Sequence, residues 1–377
     1  MSSSTTYHRL GDYIREVNVR NRDLKVTKLV GLTIDKAFIP SVANVIGTDL
    51  SNYKVIRREQ FACSLMQVSR DGKMPVAMFE EGEAIMSPAY PMFEIVDKTL
   101  LLPQYLMMWF SRSEFDREAS YYAVGGVRGS LTWEDFCNMK LPVPDIARQR
   151  EIVAEYETLS NRIRLNEQMI EKLEATAQAL YRKMFVDGVD KEHLPEGWRK
   201  KNLFDVSRVI YGFPFNSDLF CDDCSLLPVV RIRDIVENKT YTYTSEDVDD
   251  KYGIKDGEIL IGMDGNFHMT IWSGGRAFQN QRIVRIIPNH EESISSYQIF
   301  FAIINPIKEL ETSIEGTTVA HLSDKDMKRM SVIVATHDIQ ENVYSRFEAI
   351  NRNVILYKKE NLKLTELQSL LLARMGK

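Results

Sequence analysis

Residues 147–185 contain no glycine and no proline, and their side chains repeat in steps of four and three. The seam runs Ile152, Tyr156, Leu159, Ile163, Asn166, Ile170, Leu173, Ala177, Leu180 and Met184, with one amide among otherwise apolar or aromatic positions. A period of 3.5 held over some thirty residues predicts a helix whose stripe packs on another helix, a coiled coil. Pro144 precedes the run and Gly188 follows it, as start and stop signals should. At 1.5 Å per residue the helix is about 58 Å long. Its stripe cannot stay in water, so the chain must supply a partner.

The partner is in the sequence. From Gln340 onward a second seam runs Val343, Phe347, Ile350, Val354, Tyr357, Asn361, Leu364, Gln368, Leu371 and Met375. It lies at a constant offset of 191 residues, from Ile152 to Val343 and from Met184 to Met375. The lead-in repeats too. Gly125, Leu131, Asp135, Met139 and Gln149 map onto Gly316, Leu322, Asp326, Met330 and Gln340 without a gap. An ungapped register of this length argues for an internal repeat, not two unrelated surface helices. If Ile152 faces Met375 and Met184 faces Val343, then Asn166 faces Asn361.

Each helix follows a block that is strand-like and punctuated by glycine and proline. In the first block residues 26–33, 53–61, 75–79, 83–86 and 92–96 read as strands and 102–110 as a buried helix. In the second, 226–232, 258–263, 270–273 and 281–287 read as strands and 296–304 as the matching helix. The expected fold is α+β: two pseudo-symmetric mixed α/β globules, residues 1–146 and 188–336, separated by two long helices, 147–187 and 337–377. The helices pair antiparallel, because one leads from the first globule to the second and the other returns.

Composition narrows the function. Hydrophobic residues are 44% and charged residues 27%, ordinary for a globular protein and against extended disorder. No run approaches the ~18 apolar residues of a membrane span. The first six residues lack the basic flank and apolar core of a secretory signal. Four cysteines form no disulfide framework. The expectation is a cytoplasmic protein. Net charge is −5, and the acid excess sits in residues 186–335, with 17 Lys and Arg against 24 Asp and Glu. Any grip on nucleic acid must therefore come from local patches or from partners.

Enzyme signatures are missing. There is no GxxxxGK[ST] phosphate loop and no HExxH metal site. Asn305-Pro306-Ile307 is not the Asn/Asp-Pro-Pro-aromatic motif of an amino-methyltransferase, and Gly125-Gly126-Val127-Arg128-Gly129 lacks the strand–turn–helix setting of a dinucleotide loop. Cys221 and Cys224 form a lone CxxC, and structural zinc needs four ligands. The histidines, His8, His193, His268, His290, His321 and His337, are scattered. No cofactor, metal or catalytic residue is implied.

The plan as a whole resembles the specificity subunit of type I restriction–modification systems. In the first globule the resemblance rests on Leu10-Gly11-Asp12-Tyr13-Ile14, Ser87-Pro88-Ala89-Tyr90, Leu102-Pro103-Gln104-Tyr105-Leu106 and Trp133-Glu134-Asp135-Phe136. In the second it rests on Tyr211-Gly212-Phe213-Pro214-Phe215, Val230-Arg231-Ile232, the run from Gly257 to Gly265, and Asn280-Gln281-Arg282. Gln149-Arg150-Glu151-Ile152-Val153 opens the first helix. Their order along the whole chain carries the likeness. It implies two target-recognition domains, each reading half of a bipartite double-stranded DNA site. It also implies partner modification subunits, usually two, that carry the methyltransferase, and a restriction subunit with helicase and nuclease activity. The chain itself would be non-catalytic.

Candidate DNA contacts are chosen by side-chain chemistry, since Arg, Asn and Gln pair bidentately with G or A edges and Lys and Ser reach phosphate. They are Arg15, Arg20, Arg22, Arg57, Arg58, Ser69, Arg70 and Lys73 in the first globule, with Lys25 and Lys28 nearby, and Asn266, His268, Gln279, Asn280 and Arg282 in the second. Tyr90 and Trp272 read as core residues. The competing reading is a structural adaptor with two protein-binding heads on a coiled-coil ruler, which the acid excess favours.

Overall fold

The computed structural model describes residues 6–41, 47–66, 68–124, 129–313 and 321–376. It is α+β and divides into two compact units. One comprises Met1–Arg162 with Leu364–Lys377, the other Ile163–Lys363, so the division falls inside the long helices. Gly125 and Gly316 of the repeat lie outside the described residues.

The first unit is built on a four-stranded antiparallel sheet in the spatial order Ile14–Glu16, Met92–Ile95, Phe61–Cys63, Val76–Met78. Tyr7–Arg9 pairs separately with Lys140–Pro142, the strand that leads into the long helix. Two further antiparallel pairs, Lys54–Arg57 with Glu83–Met86 and the hairpin Val30–Leu32 with Phe38–Pro40, accompany the sheet. Helices Pro103–Phe110 and Ser113–Ala123 cover one face. The core between them is aromatic: Phe61, Phe93, Phe110, Phe115 and Phe136 are at most 1% exposed, and Phe61 stacks on Phe93 at 5.1 Å. Each such ring contributes about 2–3 kcal/mol by burial. Lys36 is held inside by Asp116 at 2.8 Å. Burial pushes its ammonium pKa down, and the Asp116 carboxylate only partly offsets that.

The second unit repeats the sheet order. Ser207–Tyr211, Ile283–Pro288, Ile259–Gly262 and Met269–Ile271 stand side by side, all antiparallel. Arg199–Asn202 pairs with Ser331–Val334, the strand leading into the second long helix. A three-stranded sheet of Val229–Val230, Ala277–Gln279 and Gly253–Ile254 and a short pair, Phe220–Cys221 with Tyr243–Thr244, form an outer layer. Ser296–Ser313 is the buried helix. It runs past residue 304 and through Pro306, because Ile299, Ile303 and Ile307 continue one fully buried face on the core. That packing outweighs the lost backbone hydrogen bond.

The repeat extends to single atoms. Thr132 and Ser323 cap equivalent short helices by accepting from Asp135 N–H and Asp326 N–H. Leu10 N–H and Leu203 N–H donate to the carbonyls of Met139 and Met330. Gln149 is fully buried; its Oε1 accepts from Leu102 N–H at 2.9 Å and its Nε2 donates to Leu100 and Pro144 carbonyls, both at 2.8 Å. Gln340 is its counterpart. Its Oε1 accepts from Ala335 N–H at 3.2 Å, and its Nε2 donates to Ser293 O at 2.9 Å and Gln298 Oε1 at 2.5 Å. In each unit one buried amide therefore pins the first turn of a long helix to the segment before the buried helix.

The long helices run Ile146–Phe185 and His337–Arg374. Asp145 caps the first by accepting from Arg148 N–H at 2.9 Å. Gly188, with φ +76°, turns the chain away after it. They pair antiparallel. In the second unit Ala177, Val343, Phe347, Ile350 and Val354 are buried together, with Leu173, Leu180 and Met184 against them. In the first unit Ile152, Tyr156, Leu372 and Met375 join the globule's core, and Gln368 Nε2 donates to Ser160 Oγ at 2.7 Å. The seam positions Leu159, Ile163, Ile170, Leu364 and Leu371 are half-buried. Asn166 Nδ2 donates to Asn361 Oδ1 at 2.8 Å and to Glu360 Oε2 at 3.0 Å. The two seam amides meet, in the register that aligns Ile152 with Met375. Among the described residues no helix is long and apolar enough to cross a membrane.

Candidate nucleic-acid interface

In the second unit one end of the four-stranded sheet gathers most of the candidate side chains. Tyr211 pairs with Val284, Gly262 with Ile283, and Ile261 with Met269. The segments just beyond those pairs, 212–213, 263–268 and 280–282, therefore emerge together. Met263 N–H donates to Arg282 O at 3.0 Å, and Leu322 N–H donates to Met263 O at 2.8 Å, which adds residue 321 to the group. Two glycines make the assembly feasible. Gly265, at φ +69°, turns the chain between Asp264 and Asn266. Gly212 passes so close to the Asn280 carbonyl that a Cβ would collide with it.

The exposed side chains at this end are Asn266, His268, Gln281, Arg282 and His321, with Asn280 half-buried. Asp264 holds two neighbours: its Oδ2 lies 3.3 Å from Arg282 Nε and its Oδ1 lies 2.7 Å from His321 Nδ1. Nearby, Tyr211 donates its hydroxyl to Asp324 at 2.8 Å. Burial, and then the Asp324 carboxylate, push that phenol well above its ordinary pKa.

Gln279 does not belong to this surface. Its place after the glycine pair suggests an exposed turn, but it ends the strand Ala277–Gln279 and is fully buried. Its Nε2 donates to the carbonyls of Ile210 and Ile283, both at 2.8 Å, so it fastens two strand ends from inside. Trp272 is 1% exposed and Tyr90 packs half-buried on the first unit's second apolar cluster; both serve the core. The side chain of His290 lies outside the described residues.

In the first unit the candidates fall in three places. Ser69 and Arg70 lie on the short helix Val68–Asp71, and Lys73 just after it, in the connection from Phe61–Cys63 to Val76–Met78. That is the connection on which Asn266 and His268 sit in the second unit. Arg70 pairs with Asp71, and Lys73 with Asp35 at 3.1 Å. Arg57 and Arg58 lie at the opposite end of the strand Phe61–Cys63, where Arg57 pairs with Glu83 at 2.7 Å. Arg15, Arg20 and Arg22 are elsewhere again. Arg15 lies along the sheet, 2.6 Å from Glu94, and Arg20 donates to Asn52 O at 2.5 Å. Burial raises the Glu94 carboxyl, but Gln60 and Arg15 pull harder and leave it below its ordinary value. Lys25 and Lys28 carry Asp23 and Glu81 as partners. Sequence proximity groups residues 15–28, whereas the sheet separates them from the turn at 69–73.

Sequence reasoning passes over His321 and Asp264. The histidine is 57 residues from Asp264, and no local spacing links them. The signal available is the repeat itself, since His321 directly precedes Leu322, the counterpart of Leu131. No group of three or more His, Cys, Asp or Glu among the described residues is placed to hold a metal ion.

Residues 195–366 match the family model of the type I restriction modification DNA specificity domain. The specificity subunit of the type I restriction enzyme EcoBI from Escherichia coli is 28% identical over 133 residues, which span 35% of this chain and 28% of that protein. The specificity subunit of the MjaIX enzyme from Methanocaldococcus jannaschii is 22% identical over 307 residues, 74% of this chain and 70% of the relative. The crystal structure of a type I restriction–modification S subunit from M. genitalium shares the fold over 100% of this chain and 98% of that one, with a TM-score of 0.62 and 14% identity.

Proposed function

We propose that this chain, which resembles the type I specificity subunits, is the non-catalytic DNA-recognition subunit of a type I restriction–modification complex. Each globule reads one half of a bipartite site. The sequences of the globules differ, so the half-sites differ and the site is asymmetric. The paired helices fix the number of unread base pairs between the halves. Two modification subunits supply methyl transfer from S-adenosylmethionine, and a restriction subunit supplies ATP-dependent cleavage. The observation that carries the reading is the match of residues 195–366 to a DNA specificity domain, on a globule whose sheet order and buried glutamine recur in the first half of the chain.

The contacts are assigned by the sheet ends. Asn266, His268, Asn280 and Arg282 serve one half-site; Ser69, Arg70 and Lys73, on an equivalent connection, serve the other. Arg and Asn there have the donor geometry for purine edges in the major groove, and Ser and Lys suit phosphate. Arg57 and Arg58 lie at the opposite end of the sheet; they and Arg15, Arg20 and Arg22 act on the DNA backbone. Arg15, Arg57, Arg70, Lys73 and Arg282 already carry a carboxylate, and the second globule has an excess of acid. The partner subunits therefore supply much of the phosphate-neutralising charge.

Sequencing of methylated bases in cells expressing this chain with its modification subunit tests the reading. The expected result is one motif with two specified halves and a fixed unspecified gap. A structural adaptor with two protein-binding heads would give no new methylated motif.

A further inference from the structure

We propose that Asp264 is a positioning residue that sets base specificity in the second half-site by holding Arg282 and His321 as one reading pair. The inference rests on the DNA-reading function proposed above and names how one globule performs it.

Three backbone segments converge on this carboxylate, and main-chain hydrogen bonds join them: Met263 to Arg282 at 3.0 Å and Leu322 to Met263 at 2.8 Å. Asp264 and His321 also form an isolated β-bridge. The fork is thus mounted on the sheet, not on a free loop, which keeps its geometry fixed before DNA arrives. The Asp264 side chain is 32% exposed, against 55% for Arg282 and 48% for His321. The acid is the least exposed of the three, and the two nitrogen-bearing groups are the more open to solvent.

Chemistry then assigns their free atoms. Asp264 engages the Nε of Arg282, which leaves both terminal nitrogens as a planar donor pair. That pair matches the O6 and N7 acceptors of guanine. Asp264 also engages Nδ1 of His321. In the tautomer that places the proton on Nδ1, toward the carboxylate, Nε2 is an acceptor. An acceptor beside a donor pair fits an exocyclic amine, from adenine N6 or cytosine N4, next to that guanine. Without the carboxylate both side chains would have to be ordered at the moment of binding, which weakens discrimination.

The test compares methylated motifs produced by the complex of this chain with its modification subunit. Arg282→Lys should relax one base position in one half-site, by about 10-fold or more in discrimination, because the fork is lost while the charge remains. Asp264→Asn, nearly isosteric, should relax that same position and the one read by His321, by roughly 5-fold, and leave the other half-site strict. Asp264→Glu should restore part of the strictness. A strict motif after Asp264→Asn, or after Arg282→Lys, would overturn the proposal. So would relaxation at an unrelated position, which would mean that Asp264 itself reads a base. A uniform drop in methylation at every position, with a lowered melting temperature, would reduce Asp264 to a structural role and also overturn it. If the unaltered chain yields no bipartite motif, the DNA-reading function fails, and that outcome is separate from all of these.

Discussion

Gln149→Ala removes a buried amide that makes three hydrogen bonds to main-chain groups of the first unit. The substitution leaves the Leu102 N–H without its acceptor and strips one donor each from the Leu100 and Pro144 carbonyls. A buried unsatisfied N–H costs about 2 kcal/mol, and each under-satisfied carbonyl about half a kcal/mol, for a total of about 3 kcal/mol. That is a large share of the ~5–15 kcal/mol stability of a folded domain, and corresponds to a fall in melting temperature of roughly 6–12 °C. Gln149→Glu adds a pH signature. Its carboxylate would face two carbonyls in a site with no solvent, so its folded-state pKa rises above the ~4.3 of an unfolded glutamate. The folded state then binds the proton more tightly than the unfolded state. Stability is preserved below about pH 4 and falls as pH rises through the raised value. Thermal unfolding of the full chain between pH 4 and pH 8 measures both effects, and amide exchange locates them at the start of the first long helix. A Gln149→Ala chain within half a kcal/mol of the unaltered one, or a Gln149→Glu penalty independent of pH, would refute the role given to this amide. Gln340→Ala should cost a similar amount in the second unit and add to the first.

Three further outcomes are expected. Replacing either Asn166 or Asn361 by Leu costs about 1–2 kcal/mol, whereas replacing both is nearly neutral; a double-mutant cycle on urea unfolding reads the coupling, and an interaction energy near zero would show that the amides do not act as a pair. Four residues inserted after Ala175 lengthen that helix by about 6 Å, close to two base-pair steps, and rotate the downstream residues about 40° beyond a full turn. The unread gap in the methylated motif should change, and an unchanged gap with full activity would mean the helices do not set the spacing. The purified chain alone should transfer no methyl group from S-adenosylmethionine to DNA; transfer by the isolated chain would contradict its non-catalytic role.

The long helices and their register were legible because a heptad seam is a strong periodic signal, and the 191-residue offset aligned two copies of it. That offset also aligns Gln149 with Gln340. The short edge strands were not legible. Tyr7–Arg9, Ile14–Glu16 and Arg199–Asn202 are three or four residues long and largely polar, so their pairing is decided by strands far away in sequence. Helix Ser113–Ala123 gives a weak periodic signal because only Phe115, Ala119 and Ala123 carry its buried stripe. The segment at 26–33 narrows to the strand Val30–Leu32, which pairs with Phe38–Pro40, because Leu29 makes only an isolated bridge to Ile85 and no ladder extends before it. At the interface, residue type was a fair guide for Arg282 and Asn266 and a poor one for Gln279. Its sequence neighbours suggested a turn, while two strand-end carbonyls hold it in the core. Asp264 and His321 could not be linked from sequence, since only the sheet brings them together.

Exchange of residues 1–144 for the corresponding block of another type I specificity subunit, with sequencing of the resulting methylated motif, tests the central claim most directly. Two reading heads on a shared pair of helices predict that one half of the motif changes while the other half and the gap are retained. A motif altered in both halves, or in neither, would contradict the assignment of one half-site to each globule.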